Sequence, residues 1–176
     1  MNSGQKFKIS IMKIFLLIVL TVTLGCKTEK DMIMKNSSSN CPEGGTCQSE
    51  FFENTIFKIQ ADEYGATYIK KMNSDQSSVR YSFLRDEMNN IADSYYKEEL
   101  HILIPNENGT YEYNQENIKD LSFGRLCNCR GATGYYPVEK ANIKLNRNNE
   151  QITLTGTFSL SEVPHILKSI NTTIKL

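Results

Sequence analysis

Tryptophan is absent from the 176-residue chain, histidine occurs only twice, and there is no excess of basic over acidic residues. Each shortage removes a class of function. Twenty basic residues balance twenty acidic ones, and residues 1–25 hold Lys6, Lys8 and Lys13 but no acid. The remainder is therefore mildly acidic, which argues against a nucleic-acid partner, since phosphate binding needs a basic stripe. His101 and His165 have no G-x-S-x-G context near them, so no histidine-based triad is expected. Glu98 and Glu99 are adjacent and fall on opposite faces of a strand, which is poor placement for a carboxylate pair. No Asp-x-Asp-x-Asp calcium loop occurs. Gly131-Ala132-Thr133-Gly134 lacks the lysine of a phosphate loop and reads as a turn. No catalytic residue and no cofactor are expected.

Long apolar runs are also scarce. The longest, Ile14–Gly25, has twelve uncharged residues behind Lys13. As a helix it would reach about 18 Å, against roughly 30 Å of bilayer hydrocarbon. That length suits the core of a signal peptide. The run ends Thr23-Leu24-Gly25-Cys26, which resembles a lipobox, with Leu one place later than usual. Cys26 is thus the expected lipidation site and residues 1–25 the expected signal peptide. Met12-Lys13 directly before the run offers a second possible start. Two or more acyl chains on one cysteine anchor a protein stably. Residues 26–40 then read as the lipidated Cys and a polar, serine-containing tether. Its fourteen residues after Cys26 would span at most about 45 Å. The expected address is the cell envelope, at either leaflet of the outer membrane.

No segment keeps a helical period with caps. From residue 49 onward, period-two alternation takes over: Thr55, Phe57 and Ile59; Val79, Tyr81 and Phe83; Leu100, Ile102 and Ile104; Ala141, Ile143 and Leu145; Ile152, Leu154, Gly156, Phe158 and Leu160. Asn108-Gly109 predicts a tight hairpin before Tyr111–Tyr113. Asn148-Asn149 and Tyr64-Gly65 mark further turns. Residues 86–99 are expected to hold a long hairpin loop, and the Thr172-Thr173-Ile174 ending favours strand. The expectation for 41–176 is one all-β domain, an antiparallel β-sandwich of about seven to nine strands, with a small closed barrel as the alternative.

Besides Cys26, four cysteines remain: Cys41, Cys47, Cys127 and Cys129. An even count in an exported chain favours disulfides. Cys127 and Cys129 in one strand would point the same way about 6.6 Å apart, which disfavours a bridge between them. Cross-pairing with Cys41 and Cys47 is the expectation, worth roughly 4–5 kcal/mol for the first long loop. A four-thiolate zinc or copper site is the alternative, although Cys-x5-Cys is an unusual zinc spacing. Arg125, Arg130, Tyr135 and Tyr136 cluster around the second cysteine pair and form the candidate interaction surface, because Tyr and Arg often anchor recognition.

CPEGGTC, FGRLCNCRGATGYYP and SEVPHIL together resemble segments of small uncharacterised lipoproteins of flavobacteria, in the Bacteroidetes. The resemblance spans most of residues 41–176 and implies an envelope setting, with no catalytic residues. The function expected is a non-enzymatic, disulfide-stapled binding or structural module held to a membrane by lipid. Its partner would be a protein or a glycan. Thiolate metal handling is the alternative.

Overall fold

The computed structural model describes residues 36–37, 41–86 and 94–176. The expected signal peptide, Cys26 and most of the tether lie outside them. Among the described residues no helix is long and apolar enough to cross a membrane.

The chain is all-β and antiparallel. Twelve strands are described: β1 (Asn36–Ser37), β2 (Gly45–Phe52), β3 (Thr55–Ala61), β4 (Thr67–Asn73), β5 (Ser77–Arg85), β6 (Tyr96–Ile104), β7 (Gly109–Tyr113), β8 (Leu121–Cys127), β9 (Gly134–Pro137), β10 (Lys140–Arg147), β11 (Gln151–Ser159) and β12 (Ser169–Lys175). The count exceeds the expected range because short segments such as β1 and β9 also pair. The large sheet runs β1-β2-β5-β6-β8-β9, the smaller one β12-β11-β10-β7, and β3-β4 forms a separate hairpin. Neither sheet closes on itself, so the sandwich holds and the barrel does not.

Alternation places the core. Tyr81, Phe83, Leu100, Ile102 and Phe123 of the large sheet are fully buried against Ile143, Leu145, Ile152, Leu154 and Ile174 of the small one. Burying each such side chain is worth about 1.5–3 kcal/mol. Ser49 and Thr172 share a 2.6 Å hydroxyl hydrogen bond where β2 meets β12. Gly156 is the one place where β10 and β11 approach too closely for a side chain. A Cβ there would overlap the Asn142 carbonyl oxygen and lie 2.6 Å from the Ile143 Cα, at φ +154.

Asn148 builds the expected β10–β11 turn, its Oδ1 accepting from Glu150 N at 2.9 Å and Gln151 N at 2.8 Å. The Tyr64-Gly65 turn also forms, with Asp62 Oδ1 accepting from Tyr64 N and Ala66 N. The Asn108-Gly109 hairpin does not form. Both sides of β6 are occupied, by β5 and β8. The chain therefore crosses to the other sheet, where β7 pairs with β10.

The cysteines pair locally, Cys41–Cys47 and Cys127–Cys129, with Cα separations of 5.5 and 5.1 Å. The cross-pairing expected from strand geometry is overturned because β8 ends at Cys127 and the chain bends before Cys129. The bend shortens the distance that an extended strand would impose.

Candidate functional site

The two faces of β6 carry different chemistry. Glu98 points inward, where its carboxylate accepts from Ile166 N at 2.8 Å, Leu167 N at 2.6 Å and the Tyr96 hydroxyl. These bonds fasten the loop before β12. Arg125 is buried in the same place, donating to Ala132 O at 3.0 Å with its guanidinium 5.2 Å from the Tyr96 ring. Arg85 lies 4.7 Å from that ring as well.

Glu99 points outward, as expected of adjacent strand residues. It is only 2% exposed. Its Oε1 lies 2.6 Å from Lys97 Nζ and 3.8 Å from Arg80 Nη1. Its Oε2 accepts from Tyr135 OH at 3.0 Å and from His101 Nε2 at 3.1 Å. Arg80 is also paired with Glu50 on β2. The Tyr135 ring lies across Gly124, where a Cβ would meet Cε1 at 2.5 Å. Only glycine lets the phenol reach the carboxylate.

The hairpin β3-β4 covers this outward face. The Phe57 ring stands 4.7 Å from the imidazole of His101, and Tyr135 N donates to Thr67 Oγ1 at 2.8 Å. His101 is therefore buried, and burial lowers its pKa against the opposing pull of Glu99. Burial alone would raise Glu99, but its bonds to His101 and Lys97 outweigh that and hold it far below the usual carboxylate range. An ionised carboxylate only accepts, so His101 carries its proton on Nε2. Nδ1 is then a buried acceptor, and it has no partner. The Tyr135 phenol is pushed up by burial and by the Glu99 charge.

Beside His101 opens a cleft of about 690 Å³ between the hairpin and the outer face of β6 and β8. Phe57, Ile59, Leu103, Ser122 and Pro137 line it, and Lys58, Lys119 and Asp120 contribute polar groups. The volume falls within the range of small-ligand sites.

The residues singled out from sequence do not share a surface. Arg125 and Tyr136 are buried on the inner face, Tyr135 is half-buried on the outer face, and Arg130 is exposed in the turn after Cys129. Alternation along β8 and β9 separates them. The four cysteines do not converge either. Cys47, Phe83, Glu98 and Arg125 stand in one row across four strands. Cys47 thus stands about 14 Å from Arg125, three strand spacings, and Cys127 lies two residues further along β8, too far for one ion to bind all four sulfurs. Among the described residues no cluster of His, Cys, Asp and Glu is arranged to hold a metal.

Sequence reasoning missed Lys97, Glu99, His101 and the cleft. A signal was present: Leu100-His101-Ile102-Leu103-Ile104 is an almost unbroken apolar run, the mark of a strand covered on both faces. Comparison with protein-family models, curated proteins and solved structures finds no match to this chain.

Proposed function

We propose that this chain is a lipid-anchored lipoprotein of the bacterial envelope, of the kind found in flavobacteria, whose disulfide-stapled β-sandwich is a non-enzymatic binding module. The ligand would occupy the cleft beneath the β3-β4 hairpin. One observation carries the reading: an apolar cleft beside a buried histidine whose Nδ1 has no partner. Buried polar groups are seldom left unpaired, and convergent polar groups in an apolar recess characterise ligand sites. The anchor rests on the Thr23–Cys26 pattern and the apolar run before it.

Two measurements test the reading. Incorporation of an alkyne-tagged palmitate in cells should be lost in Cys26→Ser; retained label would remove the anchor. Fluorine NMR of para-trifluoromethylbenzamide, whose amide N–H can donate to His101 Nδ1, with the detergent-solubilised full chain should show saturable broadening. Ser122→Trp, which fills the cleft, should abolish it. Broadening that is absent, or equal in the two proteins, would remove the cleft as a binding site.

A further inference from the structure

The hairpin hydrogen bonds show which backbone groups of β3 remain open. Ser74 N donates to Asn54 O, and Asp62 N to Ala66 O. In this register the even-numbered residues of β3 bond to β4, because hydrogen-bonded pairs alternate along an antiparallel ladder. The N–H and C=O groups of Phe57 and Ile59 therefore point away from β4. Thr55, in the same phase, confirms the direction: its carbonyl accepts from Ser78 Oγ at 2.7 Å. Among the described residues no strand pairs with this edge, and Ile56 to Ile59 form one wall of the cleft.

We propose that the cleft receives an extended peptide that adds as a strand to the free edge of β3, with apolar side chains facing inward and acidic ones outward. The proposal deepens the binding reading above by naming the class of ligand. An unpaired edge is a template for strand addition, where main-chain bonds supply affinity and alternate side chains supply specificity. Inward positions of the added strand would lie beside Phe57 and Ile59, over His101 and Leu103. The outward position would lie beside Lys58, which is exposed and joins no ion pair among the described residues. Lys119 stands on the opposite wall in the same condition, against one acid, Asp120. Opposite charges side by side on neighbouring strands attract. A peptide alternating apolar and acidic residues over about five positions matches all of these features.

The test uses the full chain in mild detergent with two synthetic probes, acetyl-Ile-Glu-Val-Glu-Ile-amide and acetyl-Ile-Lys-Val-Lys-Ile-amide. The glutamate peptide should slow amide hydrogen exchange at Phe57 and Ile59 by at least tenfold at saturation. It should bind at least tenfold more tightly than the lysine peptide. Lys58→Glu, a surface change that leaves the fold intact, should reverse that preference. Ile59→Pro, which removes an N–H facing the cleft and spares the β3-β4 ladder, should weaken binding at least tenfold. Unchanged exchange at Phe57 and Ile59 with millimolar peptide, or an unaltered preference in Lys58→Glu, would overturn the proposal. If the fluorinated benzamide still binds in that case, the cleft stands and only the peptide falls; if neither binds, both readings fall.

Discussion

Replacing Glu99 tests whether the network under the hairpin is a desolvated structural element or an ordinary surface ion pair. Its carboxylate is 2% exposed and meets Lys97, Arg80, His101 and Tyr135. In Glu99→Ala, the Tyr135 hydroxyl and His101 Nε2 lose their acceptor. Arg80 keeps Glu50, while the Lys97 side chain, 25% exposed, turns to water. The cost therefore comes chiefly from the buried His101 donor and the half-buried Tyr135 hydroxyl. Removing one member of a buried charged cluster costs about 3–5 kcal/mol, and the partial exposure of Lys97 favours the lower end. Glu99→Gln keeps an acceptor oxygen and should cost about 2 kcal/mol, close to the value of a charge-assisted hydrogen bond. For a domain of this size each kcal/mol lowers Tm by roughly 3–5 °C. Urea unfolding followed by circular dichroism gives both values through the midpoint. A loss below about 1 kcal/mol in Glu99→Ala, typical of an exposed pair, would refute the claim that this carboxylate is desolvated.

Acid should destabilise the fold in two stages. His101 has a folded pKa depressed by burial, so its contribution is complete above the unfolded value near 6.5. That contribution is lost as pH falls through the folded value. Glu99, also depressed, contributes above about 4.5 and is lost at still lower pH. Urea midpoints between pH 8 and 4 should decline in the wild type, and His101→Gln should flatten the upper part of the decline; parallel curves would contradict the assignment. Gly156→Ala should cost about 3 kcal/mol or more, since the backbone of β10 must shift to admit a Cβ and overpacking alone costs roughly 1–3 kcal/mol. A Tm within 2 °C of wild type, on an estimated scale of roughly 3–5 °C per kcal/mol, would show that the strands separate freely there. Cys127→Ser/Cys129→Ser should cost only about 2 kcal/mol, because so short a loop restricts the unfolded chain little. A loss above about 4 kcal/mol would imply contacts beyond loop closure.

The architecture was legible where one face of a strand is wet. Ile152, Leu154 and Phe158 alternate with Thr153, Thr155 and Thr157, and β11 follows that pattern. Legibility failed where a third layer intervenes. Glu99 and His101, which flank Leu100, take the phase of solvent-facing positions; the almost unbroken apolar run Leu100–Ile104 marks a strand covered on both faces, but nothing local says that residues about forty positions earlier supply the cover. The Asn108-Gly109 turn failed for a related reason. Turn chemistry is local, but whether two flanking strands pair depends on which neighbours already occupy the edges. The disulfides failed through a geometric assumption, that Cys129 continues β8. Arg125 and Tyr136 read as members of one patch because they are close in sequence, although alternation sends them to the inner face and Tyr135 to the outer one.

The local pairing of the cysteines has a consequence for how the chain matures. Of the three ways to pair Cys41, Cys47, Cys127 and Cys129 among themselves, this one closes the two shortest loops, and short flexible loops have the smallest closure entropy. As the chain emerges from its N-terminus, at the ribosome or in the proposed export, Cys41 and Cys47 appear together, long before Cys127. With Cys26 acylated, as proposed, the first partner that each remaining thiol meets is its native one. Oxidation in that order would give an unfolded chain its native connectivity, and no isomerase would then be needed to shuffle it.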